Sequence, residues 1–125
     1  MGSGIGKICA AGAILLSVGL ARPAGAHHSF AMFDRTQEIK LKGVVKEWQF
    51  TNPHAYLQVM SVDAQPKEWS LETTALTSLL KRGLRRETFK PGDKVDVVLH
   101  PLRNNASGGE LVSVTMADGM VWKLY

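Results

Sequence analysis

Cysteine is nearly missing from this sequence. Cys9 stands alone among 125 residues, in a segment expected to be removed on export. Without it the working chain forms no disulfide and offers no thiolate for catalysis or for a sulfur-ligated metal site. Long apolar runs are also scarce: the one extended run, Ile8 to Leu20, falls short of the roughly 20 residues a spanning helix needs. No glycine-rich phosphate loop and no nucleophile elbow occurs, the acidic residues are scattered, and Ser29 beside His28 makes no nucleophile–base pair, because adjacent side chains rarely face each other. No recognisable catalytic constellation is left, and enzyme activity is not expected. Basic residues cluster only over Lys81 to Arg86, a solvated helix end rather than a polyanion site, so no nucleic acid is expected among the partners.

The first 26 residues have the order of a cleavable export signal. Lys7 gives the positive start, Ile8 to Leu20 the apolar core, Arg22-Pro23 the break, and Ala24-Gly25-Ala26 the small residues a signal peptidase selects. The division expected is a signal peptide over 1–26 and one β domain over 27–125, exported and not membrane-spanning after cleavage. Removing 26 residues from 125 leaves 99, enough for one modest core. Lys7 and Arg22 leave with the signal, so 13 basic residues face 11 acidic ones and the mature charge is +2.

Beyond a lead-in over 27–37, the pattern is mostly that of strands. Residues 38–50 alternate, with Ile39 and Leu41 on one face, a change of phase at Gly43-Val44-Val45, and Trp48 and Phe50 on the other parity; such a slip marks a bulge or bend. Thr51-Asn52-Pro53 is a turn, 54–62 a second strand, and 67–73 a third with Trp69 and Leu71 inward. The period then becomes helical: Leu76, Leu79 and Leu80 form a stripe, Thr73 or Thr74 is the expected N-cap and Gly83 the end. Pro91-Gly92 breaks the chain, 93–100 is a fourth strand with Val95, Val97 and Leu99 inward, 103–109 a polar loop, and 110–116 a fifth strand. Asp118-Gly119 turns into a last strand over 120–124. The order predicts a small, mostly β, OB-like five-stranded Greek-key barrel with one helix between strands 3 and 4 and a C-terminal hairpin extension. An open sheet packed on one helix is the alternative.

Several short motifs carry a resemblance. His27-His28-Ser29-Phe30, Leu41-Lys42-Gly43-Val44-Val45, Asn52-Pro53-His54, Lys81-Arg82-Gly83-Leu84 and Lys90-Pro91-Gly92-Asp93 occur in the order found in a family of small exported bacterial proteins. That family is catalogued as domain of unknown function 6152. The resemblance covers essentially the whole mature chain and implies a bacterial, periplasmic origin; it names no activity and no substrate.

The chemistry therefore has to come from the residues. Four histidines survive cleavage: His27, His28, His54 and His100. A cut after Ala26 frees the amine of His27, and that amine chelates a metal together with the His27 Nδ1. A third nitrogen from His54, or less readily from His28, completes a T-shaped set suited to copper. The metal-ligand candidates are thus His27, His28 and His54, with Met32 and Met60 as soft additions for Cu(I). His100, beside Pro101, is read as structural. Phe30 and Phe33 are read as core anchors that pin the lead-in. Trp48, Tyr56 and Trp69 are either core or an aromatic stripe on a barrel face. The functional expectation is a periplasmic binding protein that holds or handles a metal ion, copper first. The alternative is an accessory module that binds a protein or small molecule through its barrel face, with the histidines structural.

Overall fold

The computed structural model describes residues 30–125, together with Gly2. The described chain opens on a 3-10 turn, Phe30–Met32, followed by six strands and one helix: β1 (Ile39–Gln49), β2 (His54–Ser61), β3 (Glu68–Ala75), α1 (Leu76–Lys81), β4 (Lys94–Pro101), β5 (Gly108–Met116) and β6 (Val121–Lys123). The strands follow one another as β3-β2-β1-β4-β5-β6, antiparallel at each step. A parallel pairing of β3 with β5 closes the first five into a ring. This is the expected OB-like barrel, with β6 outside the ring as the expected hairpin extension. Closure removes the free edges that an open sheet would leave.

Alternation dictates what goes inside. In β2, Ala55, Leu57, Val59 and Ser61 are buried while the residues between them stay partly exposed. In β4 the inward set is Val95, Val97 and Leu99. The apolar side chains among these meet Leu71, Leu111, Val114 and Leu124 in one core cluster.

Strand β1 changes phase as expected, but one step later than Gly43-Val44-Val45. Val45 pairs with Val59 and Glu47 with Gln58, so Lys46 is the extra residue of the bulge. The bulge moves the inward set from Val45 to Trp48 and Phe50, and the Trp48 ring lies 5.5 Å from that of Phe50 and 5.1 Å from that of Phe89.

The helix is shorter than its leucine stripe suggests. Leu79 is fully buried and caps one end of the core, whereas Leu80 is 40% exposed and falls outside it. Ala75, not a threonine, precedes the helix and gives no side-chain cap. Thr73 is instead buried in β3, where its hydroxyl accepts from the Ala55 N–H and donates to the Ala55 carbonyl. Gly83 ends the helix region at φ +89°, as expected for a C-terminal glycine.

Two further expectations give way. Gly108 and Gly109, assigned to a loop, begin β5 and make the parallel contact with Ser70 and Leu71. A Cβ on Gly109 would sit 2.3 Å from the His100 carbonyl oxygen, so only glycine fits where β4, β5 and β3 converge. The aromatic stripe is not formed: Trp48 is core, Trp69 packs against the core from β3, and Tyr56 points the other way.

A candidate site of paired histidine and glutamate side chains

The lead-in returns to the barrel beside the β4–β5 connection. Phe33 is buried and bridges to Leu102, the Asp34 N–H donates to the Pro101 carbonyl, and the Arg103 N–H donates to the Met32 carbonyl. Arg103 Nε also donates to the Ala31 carbonyl at 3.0 Å. Phe33 is therefore a core anchor as expected. Phe30 is not: it is 40% exposed and stacks on the His54 ring, centroids 6.2 Å apart.

His54 begins β2, directly after the Asn52-Pro53 turn, which holds a cis peptide bond. The Thr51 hydroxyl donates to the His54 carbonyl and the Leu76 N–H donates to the Pro53 carbonyl, tying the turn to the start of α1. Because Ala55 and Leu57 point inward, His54 and Tyr56 point to the outer surface. The same alternation puts Glu72 outward beside inward Leu71, His100 beside Leu99, and Glu110 beside Leu111. Register then aligns the four strands: Tyr56 lies opposite Glu72, Glu72 opposite Glu110, and Glu110 opposite His100.

Two histidine–carboxylate pairs result. His54 Nδ1 lies 2.6 Å from Glu72 Oε1, and His100 Nδ1 lies 2.9 Å from Glu110 Oε2. Although both glutamates leave the outer face of the barrel, Glu110 is 1% exposed and Glu72 7%. Two buried carboxylates in register repel unless each is compensated. Arg35 supplies much of that compensation: Nε donates to Glu110 Oε2 at 2.9 Å and Nη2 to Oε1 at 2.5 Å, a bidentate fork. The same guanidinium lies 4.8 Å from the centre of the Phe30 ring.

Protonation follows from these contacts. Burial pushes the Glu110 carboxyl up, but hydrogen bonds from Arg35, His100 and Tyr125 outweigh it and hold the group below its ordinary value. The bond to Glu110 raises Arg35 in turn. Burial, then the charge of Glu110, pushes the Tyr125 hydroxyl far above the ordinary phenol range; burial and Glu72 raise Tyr56 in the same sense. Glu110 is therefore an anion at neutral pH, and both tyrosines stay neutral.

With Nδ1 held by a carboxylate, each imidazole is left with Nε2 for coordination or proton exchange, and no described residue hydrogen-bonds either Nε2. Of the expected ligands, His54 stands in this site. His27 and His28 lie outside the described residues. Met60 is six residues further along β2, about 20 Å away, and does not join it. Among the described residues, no group of three or more His, Cys, Asp or Glu side chains is arranged to hold a metal ion.

His100, read as structural, belongs to the same network. Glu72, Glu110, Arg35 and Tyr125 do not stand out in the sequence, and Tyr56 does so only as core or part of an aromatic stripe. The available signal was parity: a glutamate beside an inward leucine on two strands, each strand next to one that carries a histidine. No helix among the described residues is long and apolar enough to cross a membrane.

Comparison with curated proteins and with solved structures finds no match. One family model matches, Family of unknown function (DUF6152), over residues 14–111, a span that includes the lead-in, the Asn52-Pro53-His54 turn, both glutamates and His100. The chain belongs to that family.

Proposed function

We propose that this is an exported, periplasmic protein which, once cut after Ala26, holds a copper ion between its new N-terminal residue His27 and His54. The observation that carries this reading is the Phe30–His54 stack. It brings the start of the described lead-in onto the Asn-Pro-His turn, and three residues of chain reach at most about 10 Å further. His27 or His28 thus has the reach to meet His54. The donor set fits the metal: a free amine and imidazole nitrogens suit Cu(II), and Glu72 on Nδ1 is the partner a metal-bound histidine commonly has. Bound copper would supply a redox-active or Lewis-acidic centre; His54 and Glu72 would hold and orient it.

Titrating correctly processed protein with Cu(II), followed by electron paramagnetic resonance, tests the reading. Nitrogen-rich coordination that is lost in His54→Ala but kept in His100→Ala supports it. One residue added before His27 should hurt as much as His54→Ala, because it moves the amine out of the chelate ring. Affinity should fall as the pH is lowered, because protons compete with the metal for the imidazole and amine nitrogens. A mature protein that begins at Ser29 or later, or wild-type protein that takes up no copper, overturns it.

A second reading, an accessory module, is favoured by a groove at the opposite end of the barrel. This open cavity of about 490 Å³ is lined by Lys42, Val44, Val62, Lys94, Asp96 and Met116, among others. It has the size and mixed lining of a small-molecule site. Ligand-induced shifts confined to these residues, with no copper uptake, would favour it.

A further inference from the structure

The lead-in is attached to the barrel by two separate sets of contacts. Backbone hydrogen bonds tie Met32 and Asp34 to residues 101–103, with Phe33 buried beneath. Arg35 and Phe30 make a different set of contacts. Glu110 grips the Arg35 guanidinium by its fork, the guanidinium faces the Phe30 ring, the ring stacks on His54, and Glu72 holds His54 from behind. These five side chains form a continuous row from β5 through the lead-in and β2 to β3. Phe30 is 40% exposed and the Arg35 side chain 50% exposed, so neither is placed there by the demand for core packing.

We infer that Arg35 and Phe30 are positioning residues, a clasp anchored on Glu110 that sets the orientation of the His54 imidazole. Arg35 is suited to this by its planar fork. Two hydrogen bonds to one carboxylate fix the plane and direction of the guanidinium, which a lysine ammonium cannot do. The oriented guanidinium then sets where the Phe30 ring lies, and the ring sets the tilt of the His54 imidazole. Neither residue would ligate metal. Their effect on any metal would pass through His54.

The inference rests on the copper reading for its functional consequence but not for its structural test. In the metal-free protein, the ring protons of His54 report the Phe30 ring current. Arg35→Ala should move those NMR resonances towards their positions in Phe30→Leu, while the amides of Phe33 and Asp34 stay protected from exchange. Arg35→Lys, which keeps the charge but loses the fork, should resemble Arg35→Ala. With Cu(II), Arg35→Ala and Phe30→Leu should bind tenfold or more weakly. Their paramagnetic resonance spectra should approach that of His54→Ala, a change that mere loss of stability would not produce. Unchanged His54 resonances in Arg35→Ala overturn the clasp whatever the copper result. If the resonances move but copper affinity and spectrum do not, the proposed role in assembling the site falls. If wild-type protein binds no copper, the copper reading fails and the resonance experiment still decides the clasp.

Discussion

Replacing Glu110 with glutamine removes a charge and almost no volume, which makes it a clean probe of the buried network. In the wild-type protein the carboxylate is 1% exposed and accepts two hydrogen bonds from Arg35, with His100 Nδ1 as a third neighbour. Hydrogen bonds to a charged group contribute about 1.5–3 kcal/mol each, against about 0.5–1.5 kcal/mol for neutral ones. In Glu110→Gln one oxygen becomes an NH2 that faces another donor, so at least one bond is lost outright. The Arg35 side chain is half exposed and rehydrates, which limits the damage. Together these give a loss of about 2–3 kcal/mol at pH 7.

The pH dependence is a sharper test than the magnitude. Glu110 titrates below its reference value of 4.5 in the folded protein, so the folded state holds its proton less tightly than the unfolded chain. The carboxylate's contribution is therefore fully present above about pH 4.5 and declines as pH falls through the lower, folded value. Urea unfolding followed by the fluorescence of Trp48, Trp69 and Trp122 measures both proteins across this range. The stability gap between wild type and Glu110→Gln should be largest at pH 5–7 and narrow steadily below pH 4.5. A gap under about 0.5 kcal/mol at pH 7, or one that is unchanged down to pH 3, would show that the network does not stabilise an anion.

Other substitutions probe different parts of the molecule. Leu79→Ala, at the fully buried end of the helix, should cost about 2–5 kcal/mol by chemical denaturation, whereas Leu80→Ala, at a position 40% exposed, should cost under about 1 kcal/mol. Gly109→Ala should destabilise by about 1–3 kcal/mol or more by thermal melting, because its methyl group meets the His100 carbonyl and Leu99 with little room to yield. Intact mass of the exported protein should match a chain starting at His27.

The barrel was legible in the sequence because its signals are local. Val95, Val97 and Leu99 alternate within one strand, and Leu76 and Leu79 share a helical face. A glycine follows the helix, and an Asp-Gly pair makes the last turn. Local preference misleads where a tertiary contact overrides it. Thr73 looks like a helix cap, but its hydroxyl is worth more inside β3, bridging to the Ala55 backbone. Gly108-Gly109 looks like a loop because glycine is poor in strands, yet this strand begins where three backbones approach too closely for any side chain. Leu80 has helical spacing, but a helix of six residues presents less than two turns to the core, and only Leu79 is fully inserted.

The site was legible only in half, for a related reason. His54 announces itself through the turn before it, and the lead-in histidines through the expected cut. Glu72 and Glu110 carry no such mark, because what joins them is the parallel β3–β5 pairing that closes the ring. No spacing rule relates two residues brought together by barrel closure. The closure does more than bring them together: the glycines that let β5 approach β3 and β4 immediately precede Glu110, so the contact that seals the barrel also sets the carboxylate beside Glu72 and His100. Fold and site share one structural element here. Substitutions at Gly108 or Gly109 therefore disturb both at once and cannot assign function to either, whereas the half-exposed Arg35 and Phe30 lie outside the core and can be changed without opening the barrel. Of the side chains in this network, those two are the ones whose substitution separates what the site does from what holds the protein together.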